Sequence, residues 1–158
     1  MAESSNRRFK TICVLCGTNF GKDREYMKAV VELGKTLATR KIDLVYGGGS
    51  LRLRGSVVVT ASVAGRSILG IMLKPLAAKR DIIGMTIGNE FQVMSMHGKM
   101  THMILNADAF VALPGGFETF EDIFNIASLT HFNFHKKPLG LLNVNGFYYG
   151  LFFFLIML

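Results

Sequence analysis

Three apolar runs that end in glycine constrain the fold of this chain more than any other feature. The runs "ICVLCG", "IDLVYGGG" and "AFVALPGG" consist of strand-forming residues closed by one or more glycines. Helical patterns separate these runs, and the first helix has its apolar residues at the spacing of one face: Tyr26, Val30, Leu33 and Leu37. Continuous apolar strands that alternate with helices are typical of a parallel sheet covered on both faces. The sequence therefore predicts an α/β fold with a Rossmann-like, doubly wound parallel sheet.

The order of the remaining patterns predicts five strands in one domain. Helices are expected over 24–40, 55–65, 93–107 and 119–132, and "SILGIML" and "PLGLLNV" are the third and fifth strands. Residues 74–92 are predicted to be a loop because Pro75, Gly84 and Gly88 interrupt them. No linker or repeat divides residues 1–158, and this length fits a single domain. Residues 1–8 are expected to form a flexible N-terminus.

The charge of the chain favours a small anionic ligand. The formal net charge is +7, half of the residues are hydrophobic, and no run of five basic residues occurs. The hydrophobic content excludes a disordered chain, and the scattered charge favours phosphorylated small molecules over nucleic acid. We therefore expect no nucleic-acid partner.

The two cysteines are expected to be ordinary buried thiols. Cys13 and Cys16 form a C-x-x-C pattern, but they lie in a predicted strand, where positions three apart face opposite sides of the sheet. A redox pair needs a helix start instead. Two free thiols indicate a reducing compartment, so we expect a cytoplasmic protein, with the nucleus as a further location.

The two ends of the chain give no membrane signal. The first ten residues lack the apolar core of a secretory signal. Residues 147–158, "FYYGLFFFLIML", carry no charge, but they are fewer than the roughly 20 apolar residues that span a bilayer. We interpret this segment as the aberrant apolar end of a truncated chain, and we expect no membrane partner.

The stretch "LPGGFETFED" is the strongest candidate for a site, with two interpretations. Parallel sheets bind ligands outside the carboxyl ends of their strands, where this stretch and the other glycine turns fall. A helix from about Thr119 would bury Phe120, Ile123, Phe124 and Ala127, and its polar face would carry Glu118, Glu121, Asp122 and Asn125. Thr119 and Asp122 approximate a capping box, a purely structural role. Alternatively, the glycine N–H groups and the helix N-terminus bind a phosphate beside a reactive carboxylate.

The motif combination resembles one family in particular. The stretches "ICVLCGTNFGKDREY", "IDLVYGGGS", "DAFVALPGGFETFED" and "KKPLGLLNVNGFYYGL" together are similar to the plant LONELY GUY family of cytokinin riboside 5′-monophosphate phosphoribohydrolases. The resemblance runs from about Phe9 to Leu151. Proteins of this family have also been labelled lysine decarboxylases. We discount that label because the sequence shows no lysine context for pyridoxal phosphate.

The resemblance implies an activity and a set of site residues. The implied reaction hydrolyses the N-glycosidic bond of N6-substituted adenosine monophosphates to the free cytokinin base and ribose 5-phosphate, without a metal or organic cofactor. The implied partners are this nucleotide and a second copy of the chain in a homodimer. The implied catalytic residues are Asp122, Lys99 and Glu121. The implied substrate-binding residues are Thr18, Gly48, Gly49, Asp81, Lys99, Met100, Gly115, Gly116, Phe117, Glu118, Thr119, Phe120 and Ser128.

Several of these positions depart from the family pattern. Asp122 stands where the family has its catalytic glutamate, and Lys99 stands where it has an arginine, which loses the bidentate fork. Met100 replaces a lysine and Asp81 a glutamate. Glu118 replaces a glycine of the phosphate loop, where its charge would oppose a phosphate and a positive φ would strain it. We therefore expect impaired hydrolysis. The alternative is a catalytically inactive nucleotide-binding homologue or dimer partner.

Overall fold

A computed structural model of the protein describes residues 9–17, 24–49 and 52–157. The flexible terminus predicted for residues 1–8 and the predicted site residue Thr18 lie outside the described residues. Among the helices of the described ranges, none combines the length and apolar character needed to cross a bilayer.

The centre of the fold is a parallel sheet of six strands. The strands are β1 (Thr11–Leu15), β2 (Asp43–Tyr46), β3 (Ile68–Leu73), β4 (Asn89–Val93), β5 (Ala109–Ala112) and β6 (Leu139–Leu141). Their order in the sheet is β4-β3-β2-β1-β5-β6, and every neighbouring pair is parallel. The register of the central pair aligns Ile12 with Ala109 and Leu15 with Ala112. The predicted doubly wound α/β fold is confirmed.

Helices connect the strands. They are α1 (Arg24–Thr39), α2 (Arg52–Val63), α3 (Lys74–Ala77), α4 (Arg80–Ile83), α5 (Met96–Asn106), α6 (Phe117–His131) and α7 (Tyr149–Met157). A short 3-10 helix, Val144–Gly146, precedes α7. At least one helix therefore lies between each strand and the next one along the chain.

Two apolar cores cover the two faces of the sheet. On one face α1 and α2 pack through Val30, Leu37 and Val57, and on the other α5 and α6 pack through Met103 and Ile126. Alternate strand residues point into the two cores, as a side-chain period of two requires. The cysteines follow this alternation, because Cys13 belongs to the second core and Cys16 to the first. Both are buried free thiols, so the prediction for them is confirmed.

The prediction that residues 74–92 form a loop is wrong. This segment contains α3, α4 and the edge strand β4, which pairs with β3. The sequence "NEFQV" of β4 has no apolar run, since only Val93 at its end is buried. An edge strand that is mostly exposed needs no hydrophobic alternation, and its periodicity therefore gave no strand signal.

Tyr148 attaches the C-terminal segment to the end of β5. The fully buried Tyr148 donates a hydrogen bond of 2.6 Å from its hydroxyl to the backbone oxygen of Leu113, one residue before Pro114. The side chains of α7 beyond it are mostly exposed and apolar, including Phe153 and Ile156. Tyr148 thus holds the backbone that leads into the glycine turn after β5.

Replacing Tyr148 tests this attachment. We expect Tyr148→Phe to cost about 1–2 kcal/mol of unfolding free energy, because the buried Leu113 oxygen loses its donor. Thermal unfolding should show a melting temperature lower by roughly 2–8 °C. Tyr149→Phe is the matched control, because the Tyr149 side chain is exposed, and it should leave the melting temperature within about 1 °C of the parent protein. Equal melting temperatures for the two variants would contradict the assigned role.

Candidate functional site

The candidate site lies where the strand order reverses. The chain proceeds from β1 to β2, β3 and β4 on one side of the sheet and to β5 and β6 on the other. In doubly wound folds the crevice at such a switch point, outside the carboxyl ends of the strands, is the usual ligand site. Gly17 after β1 and Gly115 after β5 meet there, since a Cβ on Gly17 would lie 3.1 Å from the Cα of Gly115. The two turns are packed backbone to backbone.

Helix α6 starts at this crevice without a side-chain cap. Its N-cap is Gly116 in an extended conformation, and the helix begins at Phe117, two residues earlier than predicted. Thr119 is therefore the third helical residue, and the predicted capping box of Thr119 with Asp122 is absent. The first N–H groups of a helix have no intrahelical acceptor, so those of α6 provide donors for an anion.

The buried face of α6 also differs from the predicted one. The buried residues are Thr119, Asp122, Ile123 and Ile126, whereas the predicted core residues Phe124 and Ala127 are exposed. The helix is rotated because its first turn packs over the carboxyl ends of the strands, where polar side chains enter the crevice. Asp122 is consequently only 5% exposed.

Four charged side chains form the centre of the site, which we call the charged cluster: Arg54, Lys99, Glu118 and Asp122. Lys99 of α5 places its Nζ 3.5 Å from Glu118 Oε1 and 3.9 Å from Asp122 Oδ2. Arg54 of α2 places its Nη2 2.9 Å from the same Glu118 oxygen. The two cations and Asp122 are buried, while the Glu118 side chain is 42% exposed.

Arg54 is held rigidly by backbone carbonyls. Its guanidinium donates from Nε and Nη2 to the oxygen of Cys16, at 3.3 and 3.1 Å, and from Nη1 to that of Gly48 at 2.9 Å. The guanidinium therefore links the backbone after β1 to the backbone after β2, and its Nη2 also donates to Glu118. Arg54 is not among the site residues that the family resemblance implies, although a usable signal existed. An arginine in the first turn after a glycine-rich turn lies at the ligand edge of the sheet.

The pKa values of Asp122 and Glu118 are shifted in opposite directions. Burial raises the pKa of Asp122 to about 6, and although Lys99 opposes this rise, the charges of Glu118 and Glu121 add to it. Burial also acts to raise the pKa of Glu118, but the charges of Arg54 and Lys99 outweigh it and hold the pKa below its usual value. The Glu118 carboxyl is therefore ionised at neutral pH, whereas the Asp122 carboxyl, with its pKa of about 6, gains a proton just below neutral pH.

Two buried polar atoms beside the cluster lack hydrogen-bond partners within the described ranges. They are the hydroxyl of Thr119, a residue only 1% exposed, and Oδ1 of Asp122. Buried polar atoms are normally hydrogen-bonded, and each exception needs an explanation. A bound polar molecule at the start of α6 would satisfy both atoms.

A cavity of about 170 Å³ opens next to the charged cluster. Its polar residues are Arg54, Lys99 and Glu118, and its apolar residues come from β3, α3, α4 and α5: Met72, Leu73, Leu76, Ile83 and Met96. Gly47 and Gly48 form the remaining wall. A Cβ on Gly47 would lie 3.4 Å from Lys99 Nζ, so the lysine lies directly against the backbone of this turn. The cavity suits a ligand that is partly apolar and partly anionic.

The structure brings together about half of the residues predicted for the site. Gly48, Lys99, Gly115, Gly116, Glu118, Thr119 and Asp122 lie around the cluster and the two turns. Glu118 is helical and is not among the residues with positive φ, so the backbone strain considered for it does not arise.

The other predicted residues pack elsewhere or are exposed. Gly49, at φ +74°, packs on the backbone of Ile83, and Met100 belongs to the second core. Phe120 stacks on Phe147. Four further residues are exposed: Asp81, Glu121, Phe117 and Ser128. Ser128 is also nine residues beyond Thr119, about 14 Å along the helix.

The site offers two buried reactive groups, the carboxylate of Asp122 and the ammonium of Lys99. Both lie beside a helix start that can bind an anion. A buried carboxylate with a pKa of about 6 can accept a proton from water or face a developing positive charge. The buried ammonium of Lys99 orients a polar ligand from the opposite side.

Comparisons with known proteins agree with this architecture. Residues 55–158 match the family model described as "Possible lysine decarboxylase". The chain is 45% identical over 149 residues to cytokinin riboside 5′-monophosphate phosphoribohydrolase LOG7 of Arabidopsis thaliana, covering 94% of this chain and 68% of that protein. It is also 45% identical to the probable phosphoribohydrolase LOGL9 of Oryza sativa subsp. japonica, covering 89% of this chain and 62% of that protein.

Among solved structures, the molybdenum cofactor binding protein of Rippkaea orientalis has the same fold. The TM-score is 0.68 at 20% identity, and the match covers 94% of this chain and 85% of that one. This likeness concerns the fold alone.

Proposed function

This chain belongs to the LONELY GUY family of phosphoribohydrolases, and we propose that it hydrolyses N6-substituted adenosine 5′-monophosphates to the free base and ribose 5-phosphate. One observation carries the proposal. The buried carboxylate of Asp122 and the buried ammonium of Lys99 lie 3.9 Å apart at the start of α6, beside the Thr119 hydroxyl, which has no hydrogen-bond partner among the described residues. This arrangement provides an anion site and a reactive carboxylate within one helical turn.

In the proposed mechanism, Asp122 acts on the sugar carbon of the N-glycosidic bond. Breaking this bond leaves its electron pair on the base and builds positive charge on the ribose, as in glycoside hydrolysis. The ionised Asp122 stabilises that charge and takes a proton from the attacking water, whose oxygen bonds to the sugar carbon. The departing base takes a proton from solvent, Asp122 returns the proton of the attacking water to solvent, and Lys99 holds the nucleotide from the other side.

The phosphate is proposed to bind at the first turn of α6. The Gly115–Gly116 turn allows close approach of a ligand to the backbone, and the helix N-terminus favours an anion there. The Thr119 hydroxyl would donate a hydrogen bond to a phosphate oxygen and so gain a partner, which no residue of the described ranges provides. The apolar cavity wall around Met72 and Ile83 would receive the base and its N6 substituent.

We further propose that the protein works as a homodimer in the cytoplasm, with the nucleus as a second location. The family membership supports the dimer. Two free, buried cysteines are consistent with a reducing compartment. Sedimentation or light scattering of the purified protein at micromolar concentration would test the dimer.

Hydrolysis of isopentenyladenosine 5′-monophosphate tests the proposed function. Chromatography should detect the free base and ribose 5-phosphate in equal amounts, and both should increase linearly with enzyme concentration. Absence of the free base at high enzyme concentration, with a protein that still binds AMP, would overturn the hydrolase and favour a nucleotide-binding homologue.

Lys99 is expected to contribute strongly to this turnover. Lys99→Met should lower kcat/KM by at least about tenfold, because the substitution removes a charge-assisted contact with the ligand while keeping most of the side-chain volume. Lys35→Met on the exposed face of α1 is the matched control and should leave kcat/KM unchanged. If both substitutions have the same effect, Lys99 does not contact the reacting nucleotide.

A further inference from the structure

We propose that Glu118 is an internal anion that occupies the position of the substrate's phosphate and lowers the affinity of the site for phosphorylated ribosides relative to unphosphorylated ones. The placement of the phosphate at the start of α6 rests on the proposed function. The inference goes beyond it, since it assigns to one side chain the choice between phosphorylated and unphosphorylated ligands.

The geometry gives Glu118 the contacts that a bound phosphate would make. Glu118 is the second residue of α6, so its side chain lies at the positive end of the helix dipole. One carboxylate oxygen accepts from Arg54 Nη2 at 2.9 Å and contacts Lys99 Nζ at 3.5 Å. Arginine and lysine on one oxygen, next to a helix start, form the kind of arrangement that binds a phosphate oxygen.

The exposure of the three side chains shows which of them can move. Arg54 and Lys99 are buried, with side chains 8% and 6% exposed, while the Glu118 side chain is 42% exposed. The cations are therefore fixed inside the crevice, and the carboxylate lies over them at its mouth, among the residues that line the cavity. A ligand can displace Glu118 without moving the cations.

Arg54 does not need Glu118 to hold its position. Three hydrogen bonds to the carbonyls of Cys16 and Gly48 already fix the guanidinium. These acceptors are uncharged, and they leave the positive charge of Arg54 without a counterion. Glu118 neutralises that charge rather than building the local structure.

The charge balance of the cluster affects its relative affinity for charged and uncharged ligands. Arg54 and Lys99 carry two positive charges, and Glu118 and the ionised Asp122 carry two negative ones, so the empty cluster is neutral. A phosphate monoester adds about −1.5 to −2 charges at pH 7. Its entry requires the loss of the Glu118 ion pairs, whereas an unphosphorylated riboside brings no competing charge.

Titration with AMP and adenosine tests this inference. Glu118→Gln keeps the shape of the side chain and removes its charge, and Glu118→Gly removes both. We expect Glu118→Gln to tighten AMP binding by at least about tenfold, which corresponds to 1.4 kcal/mol, while adenosine affinity changes less than about twofold. Glu118→Gly should raise the AMP-to-adenosine affinity ratio at least as much. Isothermal titration calorimetry at fixed ionic strength measures both affinities.

Glu32→Gln provides the matched control, because it removes the same charge from the exposed face of α1. It should leave the AMP-to-adenosine ratio unchanged. The inference is overturned if neither Glu118 variant raises this ratio above that of the control. It is also overturned if only Glu118→Gly has an effect and that effect is equal for both ligands, because the side chain would then act through its volume.

These outcomes are separate from those of the proposed function. Binding of AMP and adenosine is measured without turnover, so a protein that releases no free base still shows whether Glu118 competes with phosphate. Conversely, hydrolysis with an unchanged affinity ratio would support the reaction and overturn the role of Glu118. Thermal unfolding of each variant confirms that the binding data come from folded protein.

Discussion

Asp122→Asn is expected to lower kcat/KM for the nucleotide by at least about 100-fold. A positioned acid or base contributes about 10²–10⁴ to a rate, and the amide neither accepts a proton nor stabilises a positive sugar. The substitution changes little in volume, and Lys99 keeps its contact with Glu118. Glu121 on the exposed side of the same turn provides a comparison, and Glu121→Gln should cost less than tenfold. A rate unchanged by Asp122→Asn would contradict the assignment.

The same variant should be more stable than the parent protein at neutral pH. Folding raises the pKa of Asp122 from an ordinary 3.8 to about 6, so burial of its charged form costs stability above that range. The folded state binds the proton more tightly, and this cost therefore disappears as the pH falls from 6 toward 4. At pH 7.5 the cost is at most about 3 kcal/mol, which Asp122→Asn removes.

Denaturant unfolding at several pH values measures this difference. The stability advantage of Asp122→Asn should be largest above pH 7 and should vanish near pH 4. A variant that loses activity while gaining stability separates a chemical role from a folding defect. An advantage that is constant with pH would show that the Asp122 carboxyl is not the group that titrates near 6.

Gly115→Ala is expected to cost about 3 kcal/mol of unfolding free energy and to abolish turnover. The added Cβ would overlap the Thr119 hydroxyl, and it would lie 2.7 Å from Thr119 Cβ and 3.0 Å from the backbone nitrogen of Gly17. Overpacking against backbone costs typically 1–3 kcal/mol, occasionally more, and here it also separates the two turns that form the crevice. The melting temperature should fall by roughly 6–12 °C.

Gly116→Ala is the matched control for this prediction. The next glycine has nothing within 4 Å of an added Cβ, and its φ of −96° suits any residue. Its melting temperature should stay within about 2 °C of the parent protein. If the two alanine variants melt at the same temperature, the turns after β1 and β5 are not packed as closely as described.

Much of the fold could be predicted because its signals are local. Continuous apolar strands such as Thr11–Leu15 and Ala109–Ala112, each with a glycine within three residues of its end, indicate buried parallel strands and place the turns at one edge. The edge strand Asn89–Val93 could not be predicted, since it is half polar, largely exposed and defined only by its pairing with β3.

The site was less predictable because it depends on contacts between distant residues. The sequence indicates a glycine turn followed by acids, but two different starts of α6 fit that pattern. Because α6 starts at Phe117, the Asp122 side chain points inward. There it faces Lys99, which belongs to the preceding helix α5. The partner of Glu118 is Arg54, 64 positions away, and no spacing rule connects such positions.

A crystal structure of the Asp122→Asn variant with isopentenyladenosine 5′-monophosphate would test the central claim most directly. We expect the phosphate at the first turn of α6, with an oxygen about 3 Å from the Thr119 hydroxyl and Glu118 moved off Arg54. The sugar carbon of the N-glycosidic bond should face residue 122. A nucleotide bound elsewhere, with Glu118 still on Arg54 and Lys99, would contradict the account.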